Sequence, residues 1–393
     1  MRGIFYLAWR YLAWHRWKSL ILVAAITLVV FLPAAIQVLV DQTAAQLGVR
    51  AASTPLLIGA KGSPLELTLN SLYLQSTPPA SLPFSEVDMV RQQDLATPIP
   101  LYVRFKSQGA AIVGTSLAYF DYRGLAIASG RSMAVLGEAV IGSSVARDRS
   151  LSVGDHVLSS PESAFDIAGV YPLKMPVVGI LAPSFSADDN AIFVDVKTAW
   201  VIEGLGHGHQ DLAAPEAARA ILKKDGDTIV ANASMVEYNE ITEANRDSFH
   251  FHGDYSQRPL TAIIPVAKDE KSAVILAGRY QARDDDVQLI SPPRVMDELM
   301  ATIFTVRQFV VAALSVVGMA TALVVILVFL LSLRLRQSEM NTLRSIGGGR
   351  WHLATLAAAE ILMVVVVSGA LAMLLTWLTE RWGTTVIQAL IVS

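Results

Sequence analysis

Cysteine is absent from the chain, which excludes a disulfide framework, a thiolate metal centre and a cysteine nucleophile. Charge is scarce as well. Lys, Arg, Asp and Glu make up 17% of the 393 residues and the net charge is −3, whereas a duplex-binding surface needs clustered cations, so nucleic acid is set aside as a partner. A phosphate-binding GxxxxGK[ST] run is missing: Gly59-Ala60-Lys61-Gly62-Ser63 lacks the spacing and reads as a turn before a helix. Gly-x-Ser-x-Gly and His-Glu-x-x-His are missing too, so no catalytic site is expected in this chain. Asp188-Asp189-Asn190 and Asp284-Asp285-Asp286 lack the spaced ligands and glycine of a calcium loop and read as solvated turns.

Apolar residues, by contrast, are abundant: they occupy 53% of positions, and the mean hydropathy is +0.46. The excess sits in three charge-free stretches, Ser19–Val40, Gln308–Leu333 and Ile361–Thr379. At about 1.5 Å per residue each reaches roughly the 30 Å of a bilayer core. The fold class expected is therefore a membrane protein of α-helical transmembrane spans plus a large α+β extracytoplasmic domain. The expected boundaries are a cytoplasmic amphipathic segment at 1–18, a first span at 19–40 and the outer domain at 41–304, with two subdomains linked near 204–215. A second span at 305–333 continues a stalk, a cytoplasmic loop follows at 334–352, a third span at 353–379, and a tail at 380–393. Three spans are expected, with a partial fourth left open, because Thr384–Val392 is too short to cross. The first apolar run exceeds a signal-peptide core and closes without a small-x-small site, so an uncleaved anchor is expected.

Orientation follows from cations. Arg2, Arg10, Arg16 and Lys18 precede the first span with no acidic residue, and Arg334, Arg336, Arg344 and Arg350 follow the second against Glu339 alone. Positive loops stay cytoplasmic, which places residues 41–304 outside. Trp9, Trp14 and Trp17 among the N-terminal cations suggest a helix lying on the inner leaflet or, alternatively, a helical extension of the first span.

Within the outer region, Ser63-Pro64-Leu65-Glu66 reads as a capped helix start, with Leu65, Leu69 and Leu72 sharing a face. Short β-rich runs follow at Ala111–Gly114, Ala139–Gly142, Phe165–Val170 and Ala191–Val194. Gly204–Pro215 reads as a loop, Ala217–Leu222 as helix, and Asp227–Val230 and Thr261–Val266 as strands. Ser291-Pro292-Pro293 starts a helix whose Val295, Leu299 and Ile303 lead into the second span, so a continuous helix would act as a stalk.

The cytoplasmic loop carries the sharpest pattern. Met340, Leu343 and Ile346 can face one way on a short helix, with Arg336, Glu339 and Arg344 on another side and Gly347 at the C-cap. The run Arg336-x-x-Glu339-Met340-x-Thr342-Leu343-Arg344-Ser345-Ile346-Gly347, Glu360 early in the next apolar segment and Leu7-Ala8-Trp9-Arg10-Tyr11-Leu12 before the first span together resemble the FtsX-like permeases, the group that includes the macrolide exporter MacB. The outer domain is similar to the MacB periplasmic core. That resemblance implies a multi-pass permease of the cell inner membrane with a periplasmic domain, paired with a second permease copy or a paralogue. It also implies a separate ABC ATP-binding subunit holding ATP and Mg, which Arg336, Glu339, Met340, Leu343, Arg344, Ile346 and Gly347 would engage. A periplasmic binding or adaptor protein and membrane lipid complete the implied partners. Such machines transmit movement outward from the ATPase to the periplasmic domain for export or release of a substrate.

Two further readings stay open. His207-x-His209 and His250-x-His252 are pairs whose alternate residues project the same way in an extended segment, as zinc ligands would, although loop histidines are commonly only solvated. They support an alternative function, a membrane-anchored sensor or scaffold binding a ligand or metal. Glu360 stands at the edge of a span, where it could snorkel, pair with Arg344 or Arg350, or meet the ATPase.

Overall fold

In a computed structural model of the protein, the residues described are 2–75, 77–160, 172–208, 221–225, 228–231, 239–243, 245–251, 253–335, 337 and 350–392. They divide into two compact units, one of residues 1–49 with 297–393 and the other of residues 50–296.

The first unit is helical. Its helices are α1 (Arg2–Trp14), α2 (Arg16–Ala52), and, toward the C-terminus, α9 (Pro292–Leu335) and α10 (Arg350–Val392); α2 and α9 run on into the second unit. Arg16–Ala52, Pro292–Leu335 and Ala354–Gly383 are long and apolar enough to cross a membrane. The N-terminal segment is not a plain extension of the first span, because the helix breaks at His15, and α1 packs against α10. The first long helix also extends past the expected span. At 37 residues, α2 does not stop at Val40 but runs through Pro33 and on to Ala52. That is a rise of roughly 55 Å, well beyond a bilayer core. The second compact unit runs from Arg50 to Met296, inside the 41–304 expected for the large domain. The expected stalk at 292–333 is part of one 44-residue helix, α9. Thr384–Val392 continues α10 without interruption.

The second unit is α+β. Its helices are α3 (Pro64–Tyr73), α4 (Ser85–Gln92), α5 (Ala118–Arg123), α6 (Ser143–Asp148), α7 (Val196–Ile202) and α8 (Glu270–Gln281). Among the described residues, one mixed sheet runs in the order Asn239–Glu240, Leu173–Leu181, Ala139–Ile141, Ala191–Asp195, Ala110–Thr115, Ala96–Ser107, Ala262–Ala267, Leu57–Ala60 and Val287–Ile290. Ala96–Ser107 and Ala110–Thr115 pair antiparallel, while Ala110–Thr115 and Ala191–Asp195 run parallel. The central strands are continuous apolar runs, as strands covered on both faces must be. Ile112, Phe193, Ile263 and, from α7, Trp200 have no exposed surface.

The strands expected at 111–114, 139–142, 191–194 and 261–266 are present within a residue or two. The one expected at 165–170 lies outside the described residues. Ser63 caps α3, accepting a hydrogen bond from the Glu66 amide at 3.3 Å. The buried face of α3 includes Leu67, Thr68, Asn70 and Ser71 as well as Leu72, whereas Leu65 and Leu69 are only half-buried. Two local expectations fail. Gly206–Gly208 is a strand inside the expected 204–215 linker, and Ile221–Asp225 is a strand where Ala217–Leu222 was expected to be helical. In both places cross-strand pairing supplies backbone partners that local composition does not reveal.

Candidate functional site: the anchored end of the first long helix

The last turn of α2 ends in a cluster of buried charge. The Arg50 guanidinium donates to Asp188 through Nη1 to Oδ2 at 2.7 Å and Nη2 to Oδ1 at 2.9 Å. Its Nη2 also donates to the Tyr119 hydroxyl at 3.1 Å, and its Nε donates to the Leu72 carbonyl. Tyr119 in turn donates to Asp188 Oδ1 at 2.8 Å. A planar guanidinium with five donors suits this two-pronged grip on a carboxylate, which a lysine could not reproduce. Just past the helix, Ser53 is held from the same side: its carbonyl accepts from the Tyr122 hydroxyl at 2.5 Å and its hydroxyl from Arg123 at 3.0 Å. Leu72 comes from α3, Tyr119, Tyr122 and Arg123 from α5, and Asp188 from the loop before Ala191–Asp195, so three separate elements grip one helix end.

Burial sets the electrostatics. Asp188 is 1% exposed and Tyr119 is fully buried. Burial by itself would raise the Asp188 carboxyl, but the hydrogen bonds and charge of Arg50, with the Tyr119 hydroxyl, hold it below the usual carboxylate range. Burial and the Asp188 charge push the Tyr119 phenol up to about 12. Desolvation works against the Arg50 cation, yet Tyr119 and Asp188 hold it above its ordinary value. The cluster is a fixed ion pair rather than a titrating centre.

The loop that carries Asp188 is itself rigid. Ser186 donates its hydroxyl to Asp188 at 3.0 Å, and Asp189 accepts from the amides of Ser184 at 2.9 Å and Phe185 at 2.7 Å. These bonds hold Phe185 at φ +54° with its side chain 95% exposed. Gly142 packs beneath, where a Cβ would collide with the carbonyl oxygens of Asp188 and Asp189. Asp188-Asp189-Asn190 is therefore not the solvated turn expected from composition, because Asp188 and Asp189 are both buried.

The residues singled out from sequence fare differently. Arg336, Glu339, Met340, Leu343, Arg344, Ile346 and Gly347 lie outside the described residues, as do His209 and His252. His207 and His250 stand directly opposite each other, in register on the antiparallel strands Gly206–Gly208 and Phe249–Phe251. The His250 ring Nδ1 is 3.0 Å from the Ser248 carbonyl. Among the described residues no group of three or more His, Cys, Asp or Glu could hold a metal. Glu360 is buried, at 3% exposure. Glu360 and Arg350 both lie on the continuous α10, ten residues or about 15 Å apart along its axis.

The anchor of Arg50 was not among the residues expected from sequence. Its trace there is slight: Arg50 is the only cation between Asp41 and Ala52, in a segment that also holds the helix-weakening Gly48.

Residues 19–236, more than half of the chain, match the MacB-like periplasmic core domain family. An uncharacterised ABC transporter permease of Bacillus subtilis (strain 168), YclI, is 27% identical over 233 residues, which is 59% of this chain and 40% of that protein. The match thus spans well under half the length of that relative. Among solved structures, the extracellular domain of the noncanonic ABC-type transporter YknZ from Gram-positive bacteria aligns at 12% identity and a TM-score of 0.32, covering 60% of this chain and 98% of that one. The periplasmic region of MacB from Actinobacillus actinomycetemcomitans aligns at 10% identity and a TM-score of 0.34, covering 64% and 95%.

Proposed function

This chain belongs to the MacB-like periplasmic core domain family, and from that membership we propose that it is the permease subunit of an ABC transporter of the mechanotransmission type. In this reading the protein sits in the cell inner membrane with its N-terminus inside and its large domain in the periplasm. ATP and Mg are handled by a separate ATP-binding subunit, and this chain contributes no catalytic group. Residues 334–352 receive the movement of that subunit. Helices α2 and α9 carry it outward, and a second permease copy or paralogue completes the assembly. Export or release of a substrate, with or without an adaptor on the outer side, is the output.

The observation that carries this reading is the anchor at Arg50. A helix that merely tethers a domain needs no buried ion pair at its end, since any flexible linker would serve. A helix that must push or turn the domain needs a joint that does not slip. Arg50, Asp188 and Tyr119 supply one at the end of a 37-residue helix that is continuous from the apolar stretch. The exposed Phe185 sits on the same loop as Asp188, so whatever moves the joint moves an apolar tip that a periplasmic partner or substrate could read.

The test is co-purification with the ATP-binding subunit followed by its ATP turnover. Wild-type chain should bring the subunit down and raise its turnover, and Leu343→Lys should abolish both. Arg50→Met combined with Asp188→Leu should leave binding and turnover intact while export falls. A silent Leu343→Lys would end the coupling reading.

The opposed pairing of His207 with His250 favours a second reading, a metal-responsive outer domain that signals inward. Zinc titration of the full chain with and without Ala at His207 and His250 decides it, and an unchanged affinity removes it.

A further inference from the structure

Within the helical unit, α1, the first turns of α2 and the 362–367 stretch of α10 enclose an open crevice of about 550 Å³, within the size range of small-ligand sites. Its walls include Phe5, Trp9 and Leu12 of α1, Val23 of α2 and Val366 of α10. Of the residues lining it, only Arg16 and Ser19 are polar. Ser19 is already satisfied, donating to the Leu12 carbonyl at 3.0 Å and so closing the elbow between the two helices. Arg16 is exposed and makes no ion pair among the described residues. Lys18 is engaged elsewhere, over the ring of Phe329 at 5.7 Å. An apolar slot with a guanidinium at its side that is unpaired among the described residues is the arrangement that accepts an acyl chain and a phosphate together, since the guanidinium fork matches phosphate oxygens.

We propose that this crevice is a binding site for an anionic phospholipid, with Arg16 on the phosphate and an acyl chain laid between α1 and α10. The proposal rests on the reading of α2 and α10 as membrane-crossing helices. Charge argues against a second copy of this chain as the occupant. Residues 1–40 hold four cations and no acidic residue, so a symmetric contact through this segment would bring like charges together with no carboxylate from it to offset them. The exposed indoles of Trp9, Trp14 and Trp17 set the depth, because indoles settle at the headgroup level and cations beside them favour anionic lipid.

The experiment is native mass spectrometry of the full chain purified from membranes and exchanged into equimolar phosphatidylglycerol and phosphatidylcholine, alongside carbonate extraction to establish membrane insertion. The wild type should retain phosphatidylglycerol in preference. Arg16→Gln should cut that retention about fivefold, the effect of one interfacial cation, Arg16→Lys should restore most of it, and Val366→Trp should displace the lipid by filling the slot. Equal retention of the two lipids, or a silent Arg16→Gln, overturns the site. So does a cross-link between two copies at position 366, which would place a protein there instead. Release by carbonate would instead defeat the membrane reading, a separate failure.

Discussion

The two units solve opposite packing problems with the same apolar residue types. In residues 50–296 the large side chains turn inward: Trp200, Tyr102, Tyr119 and Phe193 are buried completely. In the helical unit Leu323, Val366 and Leu20 are each more than half exposed. Nothing there is misplaced if the surrounding medium is hydrocarbon, because lipid tails are as apolar as leucine and no hydrophobic gain drives the helices together. Within the charge-free stretches their hydrogen bonds are accordingly small and neutral, and Arg307 pairs with the exposed Asp41 at 2.6 Å only just beyond those stretches. Thr27 Oγ1 donates to the Ser368 carbonyl at 3.3 Å, and the Tyr11 and Ser332 hydroxyls lie 3.2 Å apart. The unit of residues 50–296 differs in burying its ion pair of Arg50 with Asp188 in the interior. An interior ion pair stabilises little by comparison with apolar packing, so its presence points to rigidity or register.

Four measurements break or sharpen that contrast. Asp188→Ala leaves the Arg50 cation buried without its partner and should cost about 3–5 kcal/mol in urea unfolding of the full chain. The double replacement Arg50→Met with Asp188→Leu should recover most of that loss. A cost below about 1 kcal/mol for Asp188→Ala would mean that the pair is not desolvated.

Next, Trp200→Ala opens a cavity in the core of residues 50–296 and should also cost about 3–5 kcal/mol. Leu323→Ala, the same kind of truncation on an exposed helix face, should cost less than about 1 kcal/mol in detergent or lipid. Equal costs would remove the distinction between the two media.

The third is pH. The Tyr119 phenol is raised from about 10 to about 12 on folding, so its contribution is complete below pH ~10 and is lost as pH climbs through ~12. The expected loss is roughly 2–3 kcal/mol, and it should vanish in Tyr119→Phe. On the acid side, the lowered Asp188 carboxyl contributes above its unfolded value near 4, and that contribution disappears as pH falls through its lower folded value.

The smallest effect is expected at Ser368, whose hydroxyl bonds the Val364 carbonyl at 2.7 Å and the Val23 carbonyl at 3.3 Å. Ser368→Ala should shift helix association by only about 0.6 kcal/mol. Cysteine cross-linking between α2 and α10 in the otherwise cysteine-free chain would read it.

Much of the scaffold was legible in the residues. The Ser63 cap, the run from Pro292 into the second apolar stretch and the strand Ala191–Asp195 all announce themselves through neighbours within one or two turns. The failures have a common cause. The linker near 204–215 and the helix at 217–222 were read from glycine content and local propensity, whereas Gly206–Gly208 is a strand because Phe249–Phe251 offers it hydrogen bonds. Asp188 looked solvated because aspartates in a row usually are, yet its partner Arg50 lies 138 residues away in the chain.

The three apolar stretches and the cations flanking them could be placed without coordinates, because hydropathy and charge add up along a segment whatever the rest of the chain does. The end of the first helix could not. Arg50 becomes a joint only when α3, α5 and the Ser184–Asn190 loop converge on it and expel water. Desolvation belongs to an assembled neighbourhood and has no counterpart in a run of residues.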